Sequence, residues 1–515
     1  MLLDARSPDE VPDRIHSKVV IIGGGTIGLA MAVNLAKAQI PVFVIEAGGR
    51  VPDTSRNGQT AASRGKPHNG VMLGRAFGLG GTSALWGGQL AEFESADLVG
   101  DGCDWPLSYT ELRRWYEQVY DLLGIGNRRP AEQYSEKFGR ESELDESIER
   151  FFTYWLPQPN FATLFRREII SDPLIKIALN ATVNDIMFVG SKAESVQAVV
   201  LGGRKILITG DNLVFATGTI ETNRFFLSTQ RVSSVPWKNN QYLGTHFQDH
   251  LGGKIAEVQV LNEMRFREFF ENGFVGSLKL QPKLRLAKQL REKAATGVCG
   301  FFAFDSRIGE NISNVKALIR ALKSGAAFSK IGTLPTDAKA LAGALFPLVV
   351  RYVRDRRILA FFDRALEFHV QAEQLPIANS RIRLSEAERG PDGLFRAEVD
   401  WQVDGREAAA INSFARRADA YLRRRGLAQL RIDEVLERDD SAFLSRLSDT
   451  YHQCGGLRMT NSAVTGVVDP DCRVWGTKNV FVCGASVFPT SSHANCTLTA
   501  LALAMRLTSV IMGAR

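Results

Sequence analysis

The chain has 515 residues, too many for one ordinary hydrophobic core, so we expect at least two domains. Its composition, 45% hydrophobic and 23% charged, is typical of a globular protein, and its formal net charge of +7 is too dilute to indicate nucleic-acid binding. The six cysteines show no CxxC spacing, which argues against a disulfide framework or a zinc site and favours a reducing compartment.

No stretch of the sequence predicts a membrane span. Residues 1–17 lack the apolar centre of a signal peptide. The longest apolar run, 340–350, has roughly half the ~20 residues that a spanning helix needs. We therefore predict a cytoplasmic protein that binds no nucleic acid and no metal, and peripheral membrane contact stays an open alternative.

The first elements follow a βαβ pattern. A β-branched run, 18–22, leads into three glycines, the Ala-rich segment 26–40 has helical spacing, and 41–46 is a second strand that ends in an acidic residue. Such a unit requires a parallel sheet, so the predicted fold class is α/β, with α+β features overall.

Later segments alternate between strand and helix patterns. Short strands recur over 180–230 and 366–404, an Arg-rich helix covers 406–426, and an apolar helix follows residue 496. The stretch 255–365 is hardest to interpret, and we predict basic helices there, for example over 284–293 and 351–366. The sequence has no internal repeat and no low-complexity linker, so the domains are expected to interleave.

A dinucleotide-binding turn is predicted between the first strand and the first helix. Gly23, Gly25 and Gly28 satisfy GxGxxG in the required context, and Glu46 ends the next strand. Gly23 permits the tight turn, Gly25 lets a pyrophosphate approach the backbone, and Gly28 allows close packing of helix and strand. Glu46 is expected to accept hydrogen bonds from ribose hydroxyls. The motif alone does not distinguish NAD from FAD.

Further motifs resemble the glucose–methanol–choline (GMC) oxidoreductase family. They are "GLGGTSALWGG" (78–88), "LGTHFQDH" (243–250), "YHQCGGLRM" (451–459) and the segment 467–507, with two shorter likenesses at 216–228 and 373–385. They follow the family order along nearly the whole chain, with nothing to match over about 256–365.

The resemblance implies a Rossmann-type FAD-binding domain interleaved with a substrate domain that is built on an antiparallel sheet. We place the FAD-binding domain at 1–95, 170–255 and 445–515, and the substrate domain at 96–169 and 256–444. By position, the resemblance assigns the following residues to FAD: Gly23, Gly25, Thr26, Ile27, Gly28, Glu46, Ala47, Gly80, Gly81, Thr82, Ser83, Trp86, Gly87, Gly88, Val183, Ala216, Gly484, Ala485, Asn495 and Thr497. Thr499 is expected near the pyrimidine side of the flavin.

The resemblance also implies a catalytic pair. His452 would remove the hydroxyl proton of an alcohol and Asn495 would orient its oxygen, since an imidazole has a suitable pKa and an amide can hydrogen-bond the same atom. His493, close to Asn495, is a rival for the second role. His246 and His250 are expected to support packing.

Two departures from the family pattern are informative. Trp86 stands where many members have Asn, and this resembles sugar-oxidising relatives of the pyranose oxidase and glycoside 3-oxidase kind. Leu85 precedes it where pyranose oxidases carry the histidine that bonds the flavin, so we expect non-covalent FAD. Cys496 replaces a proline.

The predicted function is FAD-dependent oxidation of an alcohol, either a sugar, a glycoside or another primary or secondary alcohol, with oxygen, a quinone or a redox protein as electron acceptor. The alternative with the same fold is a flavoprotein lyase or rearrangement enzyme in which FAD is not the net oxidant. An NAD-dependent dehydrogenase would leave the glycine run at 78–88 and the C-terminal motif unexplained.

Overall fold

The structure, a computed structural model, describes residues 1–99, 102–126, 146–200, 202–294, 296–310, 338–438 and 441–513, with side chains from residue 346 onward in the helix that begins at 338. Within these ranges the strands are β1 Leu2–Asp4, β2 Arg14–Ile22, β3 Val42–Ile45, β4 Ala61–Gly65, β5 Gln89–Leu90, β6 Ile148–Trp155, β7 Ile175–Leu179, β8 Ala181–Val189, β9 Lys192–Val200, β10 Lys205–Phe215, β11 Leu251–Val260, β12 Gly273–Val275, β13 Leu278–Leu286, β14 Val298–Asp305, β15 Ala365–Ala372, β16 Arg381–Arg389, β17 Phe395–Trp401, β18 Ala428–Ile432, β19 Ser448–Asp449 and β20 Val480–Val482.

The helices alternate with these strands. The α-helices are α1 Thr26–Lys37, α2 Asn57–Thr60, α3 Gly70–Leu73, α4 Tyr109–Leu122, α5 Phe161–Leu164, α6 Arg166–Ser171, α7 Thr219–Val232, α8 Glu263–Phe270, α9 Lys288–Arg291, α10 Ala338–Asp355, α11 Arg406–Arg424, α12 Glu434–Glu437 and α13 Cys496–Ile511. Short 3₁₀ turns occur at Gly81–Ala84, Ser95–Leu98, Ser441–Arg446 and Ala485–Val487. None of the helices within the described ranges is both long enough and apolar enough to cross a membrane.

The first sheet is mostly parallel and contains the predicted βαβ unit. Its order is β1-β7-β3-β2-β10-β9-β8, and β20 lies alongside the C-terminal part of β10. The pairings of β2 with β3 and with β10 are parallel, whereas β8, β9 and β10 run antiparallel. The carboxyl ends of the central strands β2, β3 and β10 therefore meet at one edge, where a ligand site is expected in such sheets. The α/β prediction is confirmed here.

The second sheet is antiparallel and is built from the later part of the chain. Its order is β18-β11-β15-β14-β13-β6-β5, with β12 on β13 and β19 on β11. The α11 helix packs on it through Ile411, Phe414 and Tyr421, which are fully buried. A third, small sheet has the order β16-β17-β4. The two-sheet architecture agrees with the fold that the resemblance implied.

The prediction of basic helices in the middle of the chain was only partly right. The segment 284–293 completes strand β13 and contributes just the four-residue helix α9, because Leu284 and Leu286 alternate with Lys283 and Arg285 across the sheet. In the segment 351–366, α10 ends at Asp355 and β15 starts at Ala365. Residues 311–337 lie outside the described residues.

Candidate functional site

The turn between β2 and α1 has the backbone geometry of a nucleotide site. Gly23 has φ +108°, and a Cβ there would lie 2.5 Å from the carbonyl oxygen of Ala216. A Cβ on Gly28 would lie 1.9 Å from the carbonyl oxygen of Gly23, so these two glycines are required for packing. Gly25 differs, because its Cβ would meet only the Cα of Gly81, at 3.9 Å. As the N-cap of α1, Gly25 leaves the first helical N–H groups without a side-chain cap.

This turn opens onto a cavity of about 570 Å³ between the two sheets. Most of the residues that the sequence assigned to the cofactor line it: Gly23, Gly25, Thr26, Ile27, Glu46, Ala47, Gly81, Thr82, Trp86, Gly87, Val183, Ala216, Gly484, Ala485, Asn495 and Thr497. They come from segments spread over nearly the whole chain. A single cavity therefore contains both the nucleotide turn and the C-terminal motif.

Glu46 holds the turn in place through hydrogen bonds of its side chain. Its side chain is buried, and it accepts hydrogen bonds from the backbone N–H groups of Gly24 at 2.7 Å, Gly48 at 2.9 Å and Gly78 at 2.9 Å. Burial raises the pKa of this carboxyl, against the effect of those three N–H groups. Glu46 thus fixes the glycine run against the turn, in addition to facing the cavity, where it was expected to bind ribose.

Four assigned residues do not line the cavity. Gly28 packs inside α1, as expected of the third motif glycine. Gly80 and Gly88 are needed for backbone shape, with φ of +92° and +79°. The Ser83 hydroxyl is engaged inside the protein: it donates to the carbonyl of Gly80 and accepts from the N–H of Phe161. Gly80, Ser83 and Gly88 are therefore not among the wall residues, and their contact with a cofactor stays a prediction.

Thr499 is likewise not a wall residue, so its place near the flavin stays a prediction. Its hydroxyl lies 2.7 Å from the hydroxyl of buried Tyr116, on the side of α13 that packs on α4, and it is not in the cavity wall. Thr497 comes one half-turn earlier on α13 and does line the cavity. Helical periodicity separates the two threonines.

The predicted catalytic residues meet on the cavity wall. The side-chain nitrogen Nδ2 of Asn495 lies 2.7 Å from Nε2 of His452. Because an amide nitrogen can only donate, Nε2 is the acceptor, and the ring proton sits on Nδ1, which lies 2.7 Å from Thr450 Oγ1. The Asn495 carbonyl oxygen Oδ1 is buried, and it has no hydrogen-bond partner among the described residues. A buried acceptor of this kind suits a ligand hydroxyl.

A buried carboxylate holds the segment that carries His452. Asp249 Oδ1 accepts from the backbone N–H groups of Thr450 at 3.2 Å and His452 at 2.9 Å, and Oδ2 lies 3.1 Å from His68 Nε2. The ring of His250 lies against that of His452, tilted by 40° and with 4.7 Å between centroids, and its Nε2 lies 3.1 Å from the carbonyl oxygen of Ser491.

Burial also determines the charge of His452. It lowers the pKa of the imidazole to about 3, with a further contribution from neighbouring His250 and an opposing one from Asp249. The ring is therefore neutral and able to accept a proton at any pH well above that value. It is the candidate proton acceptor of the cavity.

The other histidines of the C-terminal motifs lie elsewhere. His493 Nδ1 is 3.5 Å from Asp97 Oδ1 behind the wall, and the His493 carbonyl accepts from Gln371. His246 lies beside Thr245, and its carbonyl oxygen approaches Gly455. Among the residues lining the cavity, Asn495 rather than His493 is the partner of His452.

Sequence reasoning missed the supporting residues. Thr450 and His68 lie outside the quoted motifs, Asp249 lies in the motif 243–250 but received no role there, and only the fold brings the three to His452. Cys454 and Cys496 lie in two separate motifs, yet their Sγ atoms lie 2.9 Å apart. A signal was present, since each cysteine is within two residues of a predicted catalytic side chain.

The fit to a dinucleotide cofactor follows from the cavity wall. Gly25 and Gly484 expose their backbone to the cavity with no protein atom in the way. A Cβ on Gly484, for example, would meet nothing within 4 Å. The N-terminus of α1 faces the same space. These are the features that bind a pyrophosphate. Together, the fold and the site define a two-sheet protein in which a dinucleotide-binding turn and a His–Asn pair share one cavity.

Comparison with known proteins agrees with this definition. Residues 376–504 match the family model described as GMC oxidoreductase. A C-glycoside 3-oxidase from Microbacterium trichothecenolyticum is 33% identical over 130 residues, which is 25% of this chain and 24% of the relative. The chain thus spans about a quarter of the length of that curated relative.

Solved structures match over nearly the full length. Pyridoxine 4-oxidase from Mesorbium loti gives a TM-score of 0.60 at 16% identity, covering 96% of this chain and 99% of its own. Formate oxidase gives 0.59 at 15%, covering 98% and 99%, and a fungal aryl-alcohol oxidase gives 0.57 at 15%, covering 96% and 99%. The GMC resemblance is thereby confirmed: the C-terminal quarter matches the family model, and nearly the whole chain shares the fold of these three oxidases.

Proposed function

We propose that the chain is an FAD-dependent oxidoreductase that converts an alcohol to a carbonyl. The observation that carries this proposal is the pairing of His452 with Asn495 at 2.7 Å on the wall of the cavity that also holds the nucleotide turn. FAD would be held by the N-terminus of α1, by Glu46 and by the backbone around Gly81 and Gly484, and when bound it supplies the hydride acceptor.

His452 would act on the hydroxyl proton. An alcohol that replaces the direct hydrogen bond between Asn495 and His452 can donate its proton to Nε2 while its oxygen accepts a hydrogen bond from Asn495 Nδ2. Hydride leaves an alkoxide far more readily than an alcohol, so proton acceptance at Nε2 assists oxidation. The Nδ1–H group, held by Thr450, keeps Nε2 as the accepting atom throughout.

We infer that the alcohol is a sugar or a glycoside. Two observations support this class: the 33% identity with a C-glycoside 3-oxidase, and Trp86 in the cavity wall, with its Nε1 donating to the carbonyl of Pro159 at 2.9 Å. An aromatic ring fixed in this way offers the apolar face on which a sugar ring packs. We further propose that FAD is bound without a covalent bond, since Leu85 in the wall offers no nucleophile there.

Anaerobic mixing with a substrate panel tests the proposal. The purified protein should be yellow and should release FAD on acid precipitation. Its visible flavin absorbance should disappear faster with methyl glycosides, free sugars or a C-glycoside than with aryl alcohols. Re-oxidation is then followed with oxygen, a soluble quinone and a redox dye, which identifies the acceptor.

Each failure of this experiment has a distinct meaning. A colourless protein that takes up no FAD would reject the cofactor. A yellow protein whose flavin no alcohol bleaches, while a substrate is still converted without net oxidation, would favour the lyase or rearrangement alternative. Bleaching by aryl alcohols alone would keep the reaction and reject the sugar class.

A further inference from the structure

A pair of buried thiols lies directly beneath the His452–Asn495 pair. Cys454 Sγ and Cys496 Sγ are 2.9 Å apart, in contact, although the two residues are far apart in sequence. Both side chains approach the same backbone atom, the carbonyl oxygen of His452, at 3.0 Å from Cys454 and 3.6 Å from Cys496. The mechanism proposed above uses neither thiol.

Cys496 has the surroundings of a reactive cysteine. It is the first residue of α13, a helix of 16 residues whose N-cap provides no side-chain cap, so the partial positive charge of the helix end acts on its sulfur. Burial alone would raise the pKa of this thiol, but the hydrogen-bonding partners Cys454 and His250 hold the pKa below its usual range.

The two thiols differ in access. Cys496 belongs to the wall of the cavity, whereas Cys454 is fully buried behind it. Burial raises the pKa of Cys454, so it is the protonated member of the pair. A small oxidant in the cavity therefore meets Cys496 first. Among the described residues, the thiol in contact with the Cys496 sulfur is that of Cys454.

We propose that Cys454 and Cys496 form a peroxide-oxidisable dithiol that closes to a disulfide beneath the catalytic pair. The Cys496 thiolate attacks hydrogen peroxide, an S–O bond forms as the O–O bond breaks, and the released hydroxide takes a proton to become water. Cys454 sulfur then attacks the sulfenic acid, the S–S bond forms, and the S–O bond breaks with loss of a second water, which carries the Cys454 proton. Two thiols and one peroxide thus give one disulfide and two waters.

The disulfide would also change the catalytic pair. It removes the Cys454 S–H group from the carbonyl of His452 and covalently joins the His452 segment to the N-terminus of α13, next to Asn495. Misplacement of a catalytic group by even ~1 Å can lower a rate about 10²-fold. This coupling to turnover rests on the proposed alcohol oxidation, which would itself supply peroxide if oxygen is the acceptor, whereas the dithiol chemistry does not depend on it.

The first test counts thiols in the full-length protein. After treatment with hydrogen peroxide, quenching and denaturation, we expect loss of two of the six thiols, recovery with dithiothreitol, and a proteolytic peptide pair joined through Cys454 and Cys496. Cys299→Ser is the matched control, since Cys299 is equally buried and lies in β14, and it should still lose two thiols. Cys454→Ser and Cys496→Ser should form no disulfide.

The outcomes decide the proposal without reference to turnover. Six unreacted thiols, a disulfide between other cysteines, or direct conversion of Cys496 to sulfinic acid in the wild-type protein would each overturn it. If a serine variant fails to fold, peptide mapping of the wild-type protein alone gives the same decision. Unchanged alcohol oxidation in the disulfide form would overturn the coupling, whereas a reversible loss of at least about tenfold would support it.

Discussion

The two ends of the cavity are built from different parts of the polypeptide. At the nucleotide end, the wall is backbone: the Gly23–Gly28 turn and the glycine run near Gly81 are held together by Glu46, whose oxygens accept from three N–H groups. At the catalytic end, the wall consists of side chains. His452 and Asn495 meet there, although β20 and the 3₁₀ turn Ala485–Val487 lie between them along the chain.

This difference determines what a substitution can break. At the nucleotide end an added Cβ disturbs binding or folding, because most of the wall there is backbone. At the catalytic end an altered functional group disturbs chemistry and leaves the cofactor in place. Substitutions at the two ends should therefore separate cofactor content from turnover.

The largest effect is expected for His452→Ala. Loss of the proton acceptor should lower the rate of flavin reduction by about 10²–10⁴-fold, the usual contribution of a general base. Cofactor content should stay near the wild-type value, because the nucleotide turn is untouched. Stopped-flow absorbance under anaerobic conditions measures the first quantity, and FAD released on denaturation measures the second.

His369→Gln is the control for that variant. His369 is half-buried on β15 with Nε2 2.9 Å from Glu367, and it is not part of the cavity wall. Its flavin reduction rate should match that of the wild type. Equal rates in His452→Ala and the wild type would remove His452 from the mechanism.

A smaller effect, on binding rather than chemistry, is expected for Gly25→Ala compared with Gly28→Ala. The Gly25 Cβ has room in the protein and would intrude only on a pyrophosphate, so FAD affinity should fall at least about tenfold, ~1.4 kcal/mol, with the melting temperature of the cofactor-free protein unchanged. The Gly28 Cβ would lie 1.9 Å from the carbonyl of Gly23, so that variant should lose stability even without FAD. Wild-type FAD affinity in Gly25→Ala would contradict the assigned pyrophosphate contact.

The pH dependence gives a third way to distinguish the two ends. Burial lowers the pKa of His452 to about 3, so its neutral form persists when the pH falls through 6.5. An ordinary histidine becomes protonated near that pH and can no longer accept a proton. The acid limb of kcat/KM for a neutral glycoside should therefore lie below about pH 4. A limb centred close to pH 6.5 would show that His452 is not desolvated in this way.

The nucleotide end could be predicted from sequence because its information is local. Glycine spacing, a preceding strand and a following helix occur within 30 residues, and each glycine has a steric reason that does not depend on distant packing. The same locality has a limit: Ser83 was assigned to the cofactor by its position in a motif, whereas its hydroxyl is used by Gly80 and Phe161. Domain limits and cytoplasmic location stay predictions.

The catalytic end could be predicted only as far as its motifs reached. His452 and Asn495 were found because each lies in a recognisable segment, but Thr450, Asp249 and Cys454 act through contacts that span from two to more than 200 residues. Lys283, by contrast, was assigned no role, because it lies in β13, where side chains alternate across an antiparallel sheet and no motif marks one face.

The smallest effect on turnover is expected for His493→Gln, which tests the choice between the two rival residues near the end of the chain. His493 and His452 are both buried and both have a lowered pKa, mainly through burial, but His493 faces Asp97 at 3.5 Å and lies outside the cavity wall. Its replacement should leave flavin reduction within about twofold of the wild type while the free energy of unfolding falls by about 1–3 kcal/mol, because the buried Asp97 carboxylate loses a partner. Denaturant titration and stopped-flow absorbance measure the two quantities. A loss of flavin reduction comparable to that of His452→Ala, with stability intact, would reverse the assignment and make His493 a member of the catalytic pair.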